Sequence, residues 1–507
     1  MTTFGERSVA LRESSIMTDL TPLTLRGARR YGETETIDVV LRDGVIAAIG
    51  PSGTVEPEGE AVDVSGRWIG PGLWDAHVHF TQHVIRRSRV DLTATTSAAD
   101  VLATVRRALD AGHPLLNGML MGYGFRDGLW AEPASLAAIE EAMPEVPVVL
   151  VSGDLHCGWM NRAAAARLGV DLDETGLLRE GPWIELHHGL DQTDALPLAG
   201  YREAAAAAAS RGVVGVVEFE SADNVSLWRS RVREGVTGLR VEAAVWPDRL
   251  EEVIEAGWRT GDPIDDQGLV TFGRLKVIVD GSLNTRTAWC WDPYPGMDPS
   301  HPLACGIESV PVSELRRLLV RAREAGIGAA VHAIGDRANT EVLDAFAELG
   351  MPGVIEHAQL VREEDFARFA ELGLVASVQP EHAMDDRDIA DHHWAGRTGR
   401  AFAFGSLHRA GAELRLGSDA PVAPLDPWIS IAAATARTRD DRDVWHPEQR
   451  VPLDVALAAS TRSTLEVGQP ADIVITGRDP YASDRDELRD MPVAATLLGG
   501  RFTHRDL

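Results

Sequence analysis

Short apolar runs alternate with segments of helical periodicity through the middle of this 507-residue chain. Eight runs predict strands: Trp68–His79, Val213–Phe219, Leu239–Val245, Leu275–Asp280, Gly328–Ala333, Val354–His357, Leu374–Val378 and Leu414–Gly417. Between them, apolar residues recur at helical spacing over 313–325, 337–349 and 362–372, each stretch stopping at a glycine (Gly326, Gly350, Gly373). Glycine accepts the left-handed conformation that ends a helix, so these boundaries are physically motivated. Strands alternating with helices imply βα units around a parallel sheet, and eight such units predict an α/β fold of the (β/α)₈ TIM-barrel type.

Both ends of the chain have a different texture. Thr36–Leu41 and Gly44–Ile49 flank Arg42-Asp43-Gly44, a hairpin signal. Near the C-terminus, Ala471–Thr476 and Pro492–Leu498 precede Gly499-Gly500 in the same style. A small β-sandwich domain built from residues 18–70 and 460–507 is therefore expected beside a barrel over 71–459. The first two barrel strands stand too far apart for a loop, so a substructure is expected to be inserted after strand one, at about 81–205. Its far end contains an alanine-rich helix, Glu203 to Ser210. Residues 1–17 mix charges and serines and read as a disordered extension.

The net charge of −28 counts against nucleic acid and anionic membranes as partners. No apolar run approaches the roughly 20 residues that span a bilayer. Cys157, Cys290 and Cys305 are the only cysteines, and they are isolated from one another. Such usage fits packing residues in a reducing, cytoplasmic compartment. A homodimer is the default expectation for assembly.

The chemistry concentrates at the ends of the predicted strands. His77 and His79 close strand one, and alternate residues of a strand leave the backbone on the same side. Lys276 lies in strand four, His332 in strand five, His357 in strand six, and Asp419 follows strand eight. Alone, each has a bland reading: a core histidine, a snorkelling lysine, a turn or capping aspartate. Together they place six nitrogen or oxygen donors where a barrel builds its site, and an unpaired buried charge is costly. A metal centre satisfies them all.

This order of residues resembles the amidohydrolase superfamily. Val331–Ala338, Ile355–Gln359 and Gly417–Val422 are similar to its family 3, the branch that contains N-substituted formamide deformylase, and Gly468–Val474 resembles the superfamily's sandwich-domain signature. The resemblance implies two divalent ions, most often zinc. His77, His79 and Asp419 would hold one ion and His332 and His357 the other, bridged by a carboxylated Lys276. Asp419 would serve as general base and then general acid towards a metal-activated water. It further implies substrate contacts at His156 and His382, with Arg286 and Gln359 as weaker candidates. The chain departs from the family at Glu218-Phe219-Glu220, where a His-Asp pair is usual, and at Phe125, where tryptophan is commoner.

Trp130, Trp159, Trp183, Trp289, Trp291, Trp394 and Trp428 fall in the insertion or in loops after strands. They predict an aromatic, apolar pocket, or else pack the insertion onto the barrel. The adjacent pairs His187-His188 and His392-His393 read as surface loops. The expected reaction is cleavage of the C–N bond of a small amide or formamide with an apolar or aromatic N-substituent. A hydrolytic deaminase of a heterocycle is the first rival, but relatives of that kind often carry a glutamate three residues after the strand-five histidine, where this chain has Gly335. A lactone or ester hydrolase is the next, and a non-enzymatic scaffold fits least because the ligand set is complete.

Overall fold

The structure is a computed structural model, and it describes residues 21–125, 127, 130–152, 157–179, 182–183, 186 and 196–507. The expected extension at 1–17 and the residues His156, His187 and His188 lie outside this set. The chain divides into two compact units, one formed by the segments up to His79 and from Ala205 onward, the other by Phe80–Ala204.

The first unit holds an eight-stranded parallel barrel. Its strands are Leu73–Val78, Val213–Glu218, Arg240–Val245, Val270–Ile278, Ala329–Ala333, Gly353–His357, Val375–Val378 and Glu413–Leu416. Each pairs in parallel with the next. The ring is nearly closed, and the join is short. Strand one meets the segment after strand eight through a Val78–Ala420 bridge, with the Asp419 N–H donating to the His77 carbonyl at 2.8 Å. All eight predicted strands are present, shifted by a few residues at their ends.

One predicted run needs correction. Trp68–His79 is two strands in two sheets: Trp68–Pro71 pairs antiparallel with Ile473–Thr476, and Leu73–Val78 opens the barrel. Gly72 sits at the break. Its N–H donates to the Asp472 carbonyl at 2.8 Å, and a Cβ on it would stand 2.4 Å from a Val214 methyl. The chain changes sheets where only a side-chain-free residue fits.

The helices follow the glycine stops. Val312–Glu324 precedes strand five, and Asp336–Leu349 ends at Gly350 in the left-handed conformation, φ 60°. The third helix is shorter than predicted, Phe366–Glu371, because Glu363–Asp365 takes the tighter 3₁₀ form. Strands from both termini pair in one sheet of eight around a core that includes Leu25, Val39, Ile69, Ile473 and Leu497. Its hairpin turns on Asp43 and Gly44, φ 53° and 78°, as the sequence predicts.

The Phe80–Ala204 unit has its own five-stranded sheet, with strands Val90–Asp91, Leu120–Phe125, Val148–Ser152, Cys157–Met160 and Leu177–Arg179 in that order. Asn161 ties it together: its side chain accepts from the Val148 and Ala164 N–H groups and donates to the Met143 and Val146 carbonyls. The alanine-rich segment is helical over Leu198–Ala209. Cys157 and Cys290 are buried and Cys305 is half-buried, and no disulfide joins cysteines among the described residues. Among the described residues, no helix is long and apolar enough to cross a membrane.

The sheet change at Gly72 yields a test. Gly72→Ala is expected to destabilise the protein by about 1–3 kcal/mol through overpacking against Val214. In a Val214→Ala background the same change should cost under about 0.5 kcal/mol, because the clashing methyls are gone. Urea denaturation of the four proteins measures both; equal losses in the two backgrounds would contradict the steric account.

Candidate active site

The residues singled out from the sequence meet at the C-terminal ends of the barrel strands. A cavity of about 420 Å³ there is lined by His77, His79, Lys276, His332, His357 and Asp419, with Gln359, His382 and Asp386 also facing it. Ile278, Leu283, Ile334 and Val422 supply apolar wall. His77, His357 and Asp419 each offer a ligand atom within 4.8 Å of the others. The ring centroids of His77 and His357 are 4.8 Å apart, and those of His332 and His357 are 4.4 Å apart.

Hydrogen bonds fix which imidazole nitrogen is free. His77 Nδ1 lies 2.6 Å from Glu356 Oε2, and His357 Nδ1 lies 2.8 Å from Gln379 Oε1. Each ring donates through Nδ1 and keeps the lone pair on Nε2. His332 is turned the other way: its Nε2 lies 3.2 Å from the Gly281 carbonyl, which leaves the lone pair on Nδ1. Such outer partners are what orient metal-ligating histidines.

Burial keeps these rings neutral. It lowers His77, helped by Lys276, and lowers His357 well below the usual range. His332 is brought down to about 3 by burial and the neighbouring Lys276. For Asp419, burial acts upward, but the hydrogen bond from His79, whose own pKa Asp419 raises, helps hold the carboxyl well below its usual range. Neutral imidazoles with free lone pairs around an ionised aspartate form a donor set that fits a divalent ion.

Lys276 is 1% exposed. Among the described residues no carboxylate comes within 4.0 Å of its amine, which instead lies 3.5 Å from His77 Nε2 and 4.3 Å from the Phe219 ring centroid. Burial lowers its pKa to about 8, against the pull of Glu356 and Asp419. A neutral amine is nucleophilic, whereas an ammonium is neither a nucleophile nor a metal ligand.

The backbone is strained where the ligands stand. His357, Ala358 and Asp419 take positive φ, at 73°, 41° and 56°. In strand six this breaks the alternation of sides, so Glu356 bonds His77 while the next residue, His357, faces the same cluster. Beneath them, Asp75 Oδ1 accepts from the His77 and Ser418 N–H groups at 3.1 and 2.9 Å, and burial pushes its pKa to about 7. Asp280 plays the same part after strand four. It accepts from the Trp289, Ile334 and Gly335 N–H groups and is likewise raised by burial to about 7.

Sequence reading overlooked Glu356, Gln379 and Asp280. Glu356 adjoins the chosen histidine in Ile355-Glu356-His357, and Asp280 ends the lysine strand, so an acidic residue inside an apolar strand end was the available signal. Gln379 carried none.

Other expected residues fall elsewhere. Arg286 is exposed in the loop after strand four and does not line the cavity. Trp130 belongs to the Phe80–Ala204 unit, where it packs on Phe125 and Trp159 with centroids 5.5 and 6.0 Å apart. Among the described residues no tryptophan lines this cavity, whose wall mixes aliphatic side chains with Ser282, Asn284, Gln359 and His382; Trp289 packs against Arg337 and Trp394 against Phe402. His392 and His393 end a helix, Arg387–His393, and are not loop residues. Glu218 is fully buried and accepts from Trp228 Nε1 at 3.0 Å and the Glu220 N–H at 2.9 Å, a structural use.

The chain is similar along most of its length to known proteins. The amidohydrolase family profile matches residues 60–504. The chain is 27% identical to Protein LONG AFTER FAR-RED 3 of Arabidopsis thaliana, over 91% of this chain and 87% of that protein. It is 23% identical to the N-substituted formamide deformylase of Arthrobacter pascens, over 91% and 94% respectively. A crystal structure of an uncharacterized metal-dependent hydrolase from Pyrococcus horikoshii superposes with a TM-score of 0.76 at 25% identity, covering 92% of this chain and 99% of that one. With metal-ligand types gathered at the strand ends of a parallel barrel and a profile match along most of its length, the chain belongs to the amidohydrolase family, hydrolases acting on carbon–nitrogen bonds.

Proposed function

We propose that this enzyme hydrolyses the C–N bond of a small amide or N-substituted formamide, using two divalent ions, zinc by preference. His77, His79 and Asp419 would hold one ion and His332 and His357 the other, with Lys276 as a bridging carbamate. When bound, the ions supply Lewis acidity to the substrate carbonyl and acidify a water. The observation that carries the reading is the set of hydrogen-bond-locked imidazoles around an ionised Asp419, at the base of a cavity walled by Ile278, Leu283, Ile334 and Val422.

The protein's own part follows from its groups. Asp419, ionised and close to both strand-one histidines, takes a proton from the attacking water and delivers it to the leaving nitrogen. Among the described residues the buried atoms Gln359 Oε1 and His382 Nε2 have no hydrogen-bond partner, and both residues line the cavity. They orient the amide. The similarity to a formamide deformylase supports an acyl group as small as formyl.

The deaminase alternative loses ground at Gly335. A Cβ there would stand 2.1 Å from the Trp289 carbonyl oxygen, so no glutamate side chain fits at that position.

A panel of N-formyl and N-acyl amines, tested beside cyclic amidines, aminated heterocycles and lactones, checks this reading. Amides and formamides with aliphatic N-substituents are expected to be the preferred substrates by kcat/KM. Preference for a heterocyclic amine or a lactone would overturn it.

Asp419→Asn is expected to lower kcat by about a thousandfold, within the usual range for losing a general acid–base, because an amide cannot shuttle the proton. Its circular dichroism and much of its metal content should remain. Near-native kcat would remove Asp419 from proton transfer.

A further inference from the structure

The cavity contains one charged group that the proposed mechanism does not use. Asp386 lines it, half-buried, at the start of the helix Arg387–His393. An aspartate in that position normally caps the helix by accepting an N–H of its first turn. Asp386 makes no such bond. Among the described residues its carboxylate has no hydrogen-bond donor and no cation within 4.0 Å. Other acids close to it in sequence are matched: Asp385 and Glu381 to Arg439, Glu381 also to Arg489, Asp388 to Arg442, and Asp391 accepts from Trp445 Nε1.

The surroundings say what would complete it. Gln359 is 4% exposed, and its Oε1 is a buried acceptor without a donor. His382, 6% exposed, faces the same space with Nε2 unpartnered, yet it forms no ion pair with Asp386. Among the described residues, the other ionisable side chains on the cavity wall are the proposed metal ligands. A carboxylate and an amide oxygen, neither with a donor among the described residues, share the cavity with aliphatic wall from Ile278, Leu283, Ile334 and Val422 and with polar wall from Ser282 and Asn284. Burial raises the pKa of Asp386, against an opposing pull from His382.

We propose that Asp386 and the Gln359 carbonyl form a subsite for a protonated nitrogen, so that the amide this enzyme takes carries an ammonium or guanidinium on a short aliphatic arm. The inference rests on the amide-hydrolase reading for its reaction but not for its binding chemistry. The aliphatic wall holds the arm, and the cation completes Asp386 through charge-assisted hydrogen bonds. A neutral isostere would bury the carboxylate without a partner and lose affinity.

Calorimetry on the metal-loaded protein tests this with n-butylguanidinium and its neutral isostere n-butylurea. Guanidinium stays protonated and cannot ligate a metal, so it reports the subsite alone. The wild type is expected to bind the cation at least about tenfold more tightly than the urea. Asp386→Asn, with unchanged melting temperature and metal content, should bring the two affinities within about threefold, and Asp386→Glu should restore part of the preference. Equal affinities in the wild type, or a cation preference that survives in Asp386→Asn, would overturn the proposal. Should Asp386→Asn misfold, the wild-type comparison alone decides.

Turnover separates the two readings. Cation preference in calorimetry without hydrolysis of any formamide would sink the amide reading and leave the subsite standing. Efficient hydrolysis of neutral formamides, with terminal ammonium analogues no better, would sink the subsite alone.

Discussion

Everything in this site is arranged around a lysine amine that has been taken out of water. Lys276 is 1% exposed, with an aromatic face and an imidazole for neighbours and, among the described residues, no carboxylate within ion-pair distance. An isolated buried ammonium is among the more expensive things a fold can hold, and the usual response is to neutralise. Its pKa falls to about 8, close to neutrality. The cost is explained if the resting state is an anionic carbamate between metal ions, which turns a cation only partly offset by Glu356 and Asp419 into a ligand.

The barrel's closure depends on the same place. Strand one and the segment after strand eight meet through the backbone of the site itself: Asp419 N–H to the His77 carbonyl, and His79 N–H to the Ala420 carbonyl, both at 2.8 Å. Asp75 clamps the two segments from below by accepting from His77 and Ser418. The positive φ of Asp419 and His357 is the strain tolerated to bring their side chains inward. Ligand geometry and barrel closure are thus one set of contacts, and the fold cannot relax around a missing ligand without opening its weakest seam.

The barrel was legible because its strands are short apolar blocks separated by glycine-stopped helices, a pattern set by local periodicity. The ligands were legible because polar residues that end apolar strands stand out one at a time. Glu356, Gln379 and Asp280 were not, since each acts through a partner brought near by strand register: His77 and Glu356 are 279 residues apart. Asp386 sits in an acid-rich stretch with Asp385 and Asp388, and only the structure shows which of these lacks an arginine. The tryptophans were ambiguous for the opposite reason. Residue type alone suits either a pocket or packing, and only the structure shows Trp289 against Arg337 and Trp394 against Phe402.

The most direct test of the account is to strip the metal, reload the protein in carbon-13-labelled bicarbonate, and record the carbon-13 NMR spectrum together with the metal content. The account predicts a carbamate resonance that appears with the metal, and predicts that Lys276→Ala loses both. A fully metal-loaded, active enzyme with no carbamate signal would contradict it and leave Lys276 an unmodified amine.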